Sequence, residues 1–397
     1  MTTELLTRDA PVTHARPSTR GDRPVKILVF NSSLRVGGAE SMSIALANAL
    51  AAEGLEVLFA AAEGPLRANL DRRVTYLLTD NANQAMTKVA HELSRYLRHH
   101  RPDLIHSHGG TCALIAALAV KASHATCVRV LTHHSRVFRR APRWISGPAM
   151  KRCADHFIAI SSDKRADLER LGIIGERISL IPNFVDVEAI ATHVATVDRA
   201  GVRRELGIPE DARVLVMAGR ALPEKRFDQF VRIASAVARR EKDHPVHAIA
   251  IGEGPALDEA RSVAKKEGAP ARVHFTGYQR DIFRFLAASD GVVFPSMHPE
   301  VLPMFLIEAS AAGLPIVCSD IPGNREIVSD GETGRVVAGG TEAYAEAVLE
   351  ILHDASLARR VALAAQQRAR ERFDQPRVAR EMIEVYRQLL AARGNRT

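Results

Sequence analysis

Apolar positions in this chain follow two alternating rhythms. Short unbroken apolar runs, typical of strands buried on both faces, alternate with longer stretches in which apolar residues recur every three or four positions, as on one face of a helix. Runs at 26–30, 55–60, 103–106, 128–132, 156–160 and 178–182 predict strands. Helices are predicted between them over 39–52, 84–98, 112–121, 145–153 and 163–171. The rhythm lapses over 186–206, which marks a domain junction. It restarts with strands at 213–218, 246–251, 273–276, 292–294, 315–319 and 334–337, and helices over 224–240, 256–266, 281–288 and 304–312. Three further helices, 341–353, 356–373 and 377–392, close the chain.

Strand–helix alternation requires right-handed crossovers, and hence a parallel sheet with helices on both faces. A chain of 397 residues is too long for one ordinary core. The expected fold class is therefore α/β: two Rossmann-like doubly wound domains, 25–186 and 187–375, facing a cleft.

Composition adds limits. Residues 1–24 are rich in Thr, Arg and Pro without an apolar core, and read as a disordered tail. No run is long enough to span a membrane. Cys112, Cys127, Cys153 and Cys318 lack metal-ligand spacing and suit a reducing cytoplasm. A net charge of +8 favours an anionic partner. With no nucleic-acid recognition motif, that partner is a phosphate-bearing ligand or an acidic membrane face. The stretch 136–152 holds six basic residues and no acidic one, with Phe138, Trp144 and Ile145 among them. It reads either as a membrane-docking patch or as a solvated face.

The polar residues with chemical potential gather where strands end. Gly37 and Gly38 precede a helix, where backbone can approach a phosphate and unpaired N–H groups point at it. His106, His108, His133 and His134 follow two predicted strands and suggest an active-site wall. No carboxylate accompanies them at zinc-site spacing. After the strand 213–218 come Arg220, a planar fork suited to phosphate, and Lys225, a point charge at the predicted helix start. Glu300 lies in a Pro-rich turn. Glu308 lies in a helix apolar almost all round, where a carboxylate is costly unless a hydroxyl-rich ligand donates to it. Gly252, Gly254 and Gly277-Tyr278 complete the outline of a nucleotide pocket.

These residues resemble the family-4 glycosyltransferases of the GT-B fold. The resemblance is carried by Pro295-Ser296, Glu300 and Glu308 at their spacing, Gly313-Leu314-Pro315, Gly323 with Glu326-Ile327-Val328, and Thr333-Gly334. Gly219-Arg220 with Lys225, Gly37-Gly38-Ala39-Glu40, His106-Ser107-His108 and Ile181-Pro182-Asn183 extend it from about 26 to 390. It implies transfer of a hexose-type sugar from a nucleotide-sugar, UDP-linked before GDP-linked, to an acceptor hydroxyl with retained anomeric configuration. Polysaccharide, lipid-linked glycan or glycosylated-metabolite assembly is the implied setting.

By the same resemblance, Arg220 and Lys225 bind the diphosphate, Glu300 the donor sugar, Glu308 the ribose, backbone near Tyr278 the base, and Gly37-Gly38 close on the phosphates. His134, with His133 as rival, stands beside the reacting sugar. A final helix, 376–393, crosses back to the first domain. No Asp-x-Asp occurs, so no metal and no further cofactor is expected. A lipid-linked or anionic acceptor and peripheral contact with an anionic membrane from the cytoplasmic side are the expected partners, with no nucleic acid.

Two departures stand out. Val301 follows Glu300 where the family commonly has Gly, limiting backbone approach to the sugar, and Arg226 replaces a Gly after the lysine, as a third cation or an altered helix start. An epimerase on the same fold, or a binding protein that has lost its chemistry, are the alternative readings.

Overall fold

The structure is a computed structural model that describes residues 24–35, 37–134, 143–268, 272–297 and 300–394. Residues 1–23 of the predicted tail and 136–142 of the basic stretch lie outside the described residues, as do the side chains of Arg143, Trp144 and Ile145.

The first sheet is built from β1 (Lys26–Ser33), α1 (Gly38–Ala52), β2 (Glu56–Ala62), β3 (Thr75–Leu78), α2 (Met86–His100), β4 (Leu104–His108), α3 (Gly110–Ser123), β5 (Val128–His133), α4 (Arg143–Cys153), β6 (His156–Ala159), α5 (Ser162–Arg170) and β7 (Ile178–Leu180). Its strand order is β3-β2-β1-β4-β5-β6-β7, and the pairings are parallel. Next come α6 (Val187–Thr196), α7 (Arg199–Glu205), β8 (Arg213–Ala218), α8 (Phe227–Arg240), β9 (Val246–Ile251), α9 (Leu257–Lys266), β10 (Val273–Gly277), α10 (Phe283–Ala287), β11 (Gly291–Phe294), α11 (Met304–Ala311), β12 (Ile316–Ser319), α12 (Pro322–Arg325) and β13 (Arg335–Val337). The second sheet runs β10-β9-β8-β11-β12-β13, again parallel. Helices α13 (Thr341–His353), α14 (Ala355–Phe373) and α15 (Gln375–Gly394) finish the chain.

This is the expected doubly wound α/β architecture. Each sheet reverses its strand order once, at β1/β4 and at β8/β11, and ligands of such sheets bind outside the strand carboxyl ends at that reversal. The glycine loop before α1 and the histidines of β4 flank the first reversal. Arg220, Lys225 and Glu300 flank the second.

Over 186–206 the strand–helix alternation lapses as two successive helices, α6 and α7, whose Val187, Ile190 and Val202 join the second core. Their start signals are Asp186, accepting from the N–H of Ala189, and Asp198, accepting from that of Gly201, each at 2.9 Å. Strand β3 is an additional edge strand on which only Leu77 is buried, so no apolar run marked it. The helix expected from 224 begins instead at Phe227, after one 3-10 turn over Pro223–Lys225.

The connection back to the first domain is physical. Phe373 accepts from the N–H of Val185 at 2.9 Å, and Val378, Ala379, Met382, Ile383 and Tyr386 of α15 pack into the core formed by β1, β2 and α1. The four cysteines are free and buried. Among the described residues, no helix is long and apolar enough to cross a membrane.

Candidate active site

The second domain supplies most of the charge. After β8 the chain turns at Gly219 (φ +155) and passes Arg220 into the 3-10 turn that carries Lys225. Gly252 (φ +139) and Gly254 (φ +147) at the end of β9 lie against the carbonyls of Gly219 and Ala221, where a Cβ would overlap them. Close backbone approach thus shapes this floor. The N–H of Met297 donates to the carbonyl of Glu224 at 2.7 Å and ties the loop after β11 to the loop after β8. Across that tie, Lys225 Nζ meets Glu300 Oε1 at 2.6 Å, with the side chains 18% and 11% exposed. Two residues 75 positions apart thereby form a nearly buried ion pair at the sheet's reversal. A Cβ on Gly323 would stand 2.5 Å from the carbonyl oxygen of Glu300 and 2.7 Å from that of Val301, so only glycine lets α12 support this turn. The Val301 side chain packs against the second core.

Arg226 is not a free third cation. It adopts φ +56, a left-handed conformation that favours glycine, and its guanidinium is held by Asp228 at 3.0 and 3.1 Å. The altered helix start is the part of the expectation that the structure displays.

Glu308 projects from α11, whose other residues from Phe305 to Ala311 are buried. Its carboxyl has no hydrogen bond or ion pair among the described residues. It retains some solvent access, yet loss of hydration at this depth pushes its pKa up to about 7. An unpartnered carboxyl at this depth is an open demand for donors. Tyr278, at the end of β10, is 44% exposed, and its N–H donates to Glu253 Oε1 at 3.3 Å. It touches neither Lys225 nor Glu300 through any hydrogen bond.

The first domain contributes a glycine turn and a stack of imidazoles. Gly37 is the extended N-cap of α1, and a Cβ on Gly38 would lie 3.5 Å from Met304 Cγ, so α1 begins against the start of α11. The Glu40 carboxylate folds back over Gly37. Burial raises its pKa, opposed by its own backbone N–H and by Arg220 on the facing domain. The sequence signal for Glu40 is an acidic residue in the first turn of α1, directly after the Gly37-Gly38 pair.

His106, His108 and His134 share one face of the sheet. His106 and His108 stack with centroids 4.7 Å apart, and the His108 and His134 rings meet edge to edge, near-coplanar, with centroids 5.1 Å apart. His108 Nδ1 and His134 Nε2 are hydrogen-bonded at 2.9 Å. Burial, with smaller contributions from neighbouring imidazoles, depresses all three: His106 and His134 to about 3, His108 well below its ordinary value. They are uncharged at neutral pH. His133 is separate. It lies on the opposite face, in the layer with Leu131 and α5, and burial and then Lys164 bring it down to about 4. The expected wall of four is thus three plus one. No hydrogen bond or ring contact links His134 to the second domain among the described residues.

Other contacts do cross the cleft. Asn183 Nδ2 donates to the Leu302 carbonyl at 3.3 Å, and the Ser162 N–H at the start of α5 donates to Glu326 Oε1 at 2.8 Å. Among the described residues no group of three His, Cys, Asp or Glu is placed to hold a metal ion.

Two doubly wound sheets that present cations, carboxylates and glycine turns to each other across a cleft define the GT-B class of sugar-transferring enzymes. The model for glycosyl transferases group 1 matches residues 198–368, and that for glycosyltransferase family 4 matches 36–189. A glycogen synthase of Mycobacterium tuberculosis is 31% identical over 75% of this chain and 70% of its own length. A UDP-Gal:alpha-D-GlcNAc-diphosphoundecaprenol alpha-1,3-galactosyltransferase of Escherichia coli is 25% identical over 66% of this chain and 69% of its own. Anabaena HepE, solved in complex with UDP and glucose, superposes with a TM-score of 0.78 at 22% identity, covering 91% of this chain and 99% of that one, a likeness of fold. The chain belongs to the family-4 glycosyltransferases.

Proposed function

We propose that this enzyme transfers a hexose unit from a UDP-sugar to an acceptor hydroxyl, with retention, in the assembly of a glycan. The observation that carries this reading is the Lys225–Glu300 pair at the reversal of the second sheet, with the unpartnered Glu308 carboxyl on the helix that follows. Together they offer acceptors for ribose and sugar hydroxyls next to cations for a diphosphate. Arg220 and Lys225 neutralise the leaving UDP as the bond from C1 to phosphate oxygen breaks. The acceptor oxygen bonds to C1 on the same face, and its proton passes to the departing phosphate. Glu300, released from Lys225 or shared with it, orients the sugar. His134 stays neutral and meets the sugar as a hydrogen-bonding group. Side-chain cations supply the charge neutralisation, so the reaction as proposed uses no metal and no cofactor.

Support for a UDP-sugar comes from the UDP and glucose bound in the HepE structure and from the UDP-Gal donor of the E. coli relative. The test is a donor panel of UDP-glucose, UDP-N-acetylglucosamine, UDP-galactose and GDP-mannose, read as nucleoside diphosphate release. At least one UDP-sugar is expected to turn over, and His134→Ala to reduce its kcat at least about 100-fold. Inertness toward all four, including slow hydrolysis, would sink the reading.

We further propose that the acceptor is anionic or lipid-linked and is met at an acidic membrane surface on the cytoplasmic side. Lys151 and Arg152, exposed at the end of α4, belong to the basic stretch that motivates this. Sedimentation with phosphatidylglycerol vesicles is expected to fall when Arg136, Arg139, Arg140, Arg143, Lys151 and Arg152 are neutralised. Equal sedimentation of both proteins would remove the membrane from the proposal.

A further inference from the structure

We propose that His108, and through His106 also Tyr386 of α15, are positioning residues for His134: they fix which imidazole nitrogen His134 turns to the cleft. The inference rests on the reading of His134 as the histidine beside the reacting sugar.

The geometry leaves few choices. His134 Nε2 is taken by His108 Nδ1 at 2.9 Å, so only Nδ1 of His134 is left for a ligand. Between two neutral imidazoles there is one proton, and its position sets both tautomers. If His134 Nε2 donated, His108 would carry its proton on Nε2. That atom is buried and has no partner. An unpaired buried N–H is the rarer and costlier orphan. The favoured arrangement has His108 Nδ1 donating, which leaves a bare lone pair on His108 Nε2 and makes His134 an Nδ1–H donor toward the cleft. A neutral N–H donor suits a sugar hydroxyl oxygen or an oxygen gaining negative charge.

His108 cannot rotate freely, because the His106 ring stacks on its face and the His134 ring holds its edge through the hydrogen bond. His106 is in turn fixed at both nitrogens, Nδ1 by the Tyr386 hydroxyl and Nε2 by Thr132 Oγ1 at 2.6 Å. Tyr386 is 1% exposed, and burial raises its phenol well above the ordinary range, so it remains a hydroxyl able to donate. The Tyr386 and His106 rings also meet edge to face at 5.8 Å. Thus the last helix of the chain, 280 residues away in sequence, buttresses the histidine stack of the first domain.

The experiment combines kinetics with nitrogen-15 spectra of histidine-labelled protein. In the wild type, His134 is expected as a single Nδ1–H tautomer. His108→Phe keeps a stacking ring and removes the hydrogen bond. It is expected to mix the His134 tautomers and lower kcat for UDP release from UDP-glucose about tenfold or more, with KM within about twofold. His108→Asn, whose amide can donate where Nδ1 did, is expected to restore the single tautomer and most of the rate. Tyr386→Phe is expected to lower kcat about threefold with the same signature. A purely structural role would lower stability without moving the tautomer. An unchanged His134 tautomer in both His108→Phe and Tyr386→Phe overturns the proposal. If His108→Phe fails to fold, Tyr386→Phe and His108→Asn decide it through the spectra. If the tautomer shifts but His134→Ala retains full activity, the positioning stands and the assignment of His134 falls.

Discussion

Glu308→Gln is expected to stabilise the ligand-free protein at pH 8 and at the same time to weaken UDP binding about 10- to 100-fold. The stability effect follows from the raised carboxyl. Between the ordinary 4.5 and about 7, the folded protein holds a proton on Glu308 that the unfolded chain releases. Stability attributable to this group therefore declines as pH rises through that window and stays low above it, by up to about 3 kcal/mol. Glutamine has no such charge, so denaturation midpoints of variant and wild type should nearly coincide at the acid end of the window and separate at pH 8. The binding effect has the opposite sign, because ribose hydroxyls donate most strongly to an ionised carboxylate. UDP binding near pH 6.5 should accordingly release a proton in the wild type and not in the variant. Calorimetry in buffers of different ionisation enthalpy reads this directly. Identical proton release by both proteins would mean that Glu308 does not face the nucleotide.

The second large effect is expected at the ion pair. Lys225→Ala should lower kcat/KM for the UDP-sugar about 100- to 1000-fold, comparable to removing one fixed donor from a developing negative charge. Part of that loss arises because Glu300 is left as an unpaired, nearly buried carboxylate facing an anionic ligand. Removing both partners should therefore cost clearly less than the product of the single losses. A double-mutant cycle on kcat/KM and on UDP affinity measures the coupling. Strict additivity would show that the two side chains act apart when ligand is bound, and that their contact belongs to the empty cleft alone.

Much of the fold was readable because a parallel sheet covered on both faces writes its strands as unbroken apolar runs. Most runs recur in the structure within a residue or two. What escaped were elements without such a signature. Strand β3 has an exposed Leu78 and a single buried residue, and α6 and α7 are short, the latter interrupted by Gly201. Their aspartate caps were present and would have revealed them. Glu308 stood out as a charge in an apolar helix, a local contradiction that pointed to function. The opposite facing of His133 and His134 was also available, since neighbours in a strand point to opposite sides. By contrast, the pairing of Lys225 with Glu300 and of His106 with Tyr386, and the influence of Arg220 on Glu40, depend on how distant strands and helices are brought together. No local pattern encodes it. Arg226 illustrates a different gap: a left-handed turn normally given to glycine is held here by a bidentate aspartate two residues on.

The seating of α15 on the first domain bears on how the chain is made. Val378, Ala379, Met382, Ile383 and Tyr386 fill a core whose other walls are β1, β2 and α1. During synthesis the first sheet emerges long before these residues do. Domains of a nascent chain usually complete in order from the amino end. Here the first-made half must wait, with an apolar face uncovered, until the ribosome has delivered the last helix. Loss of α15 would thus leave the older domain unfinished, although the rest of its sequence is intact.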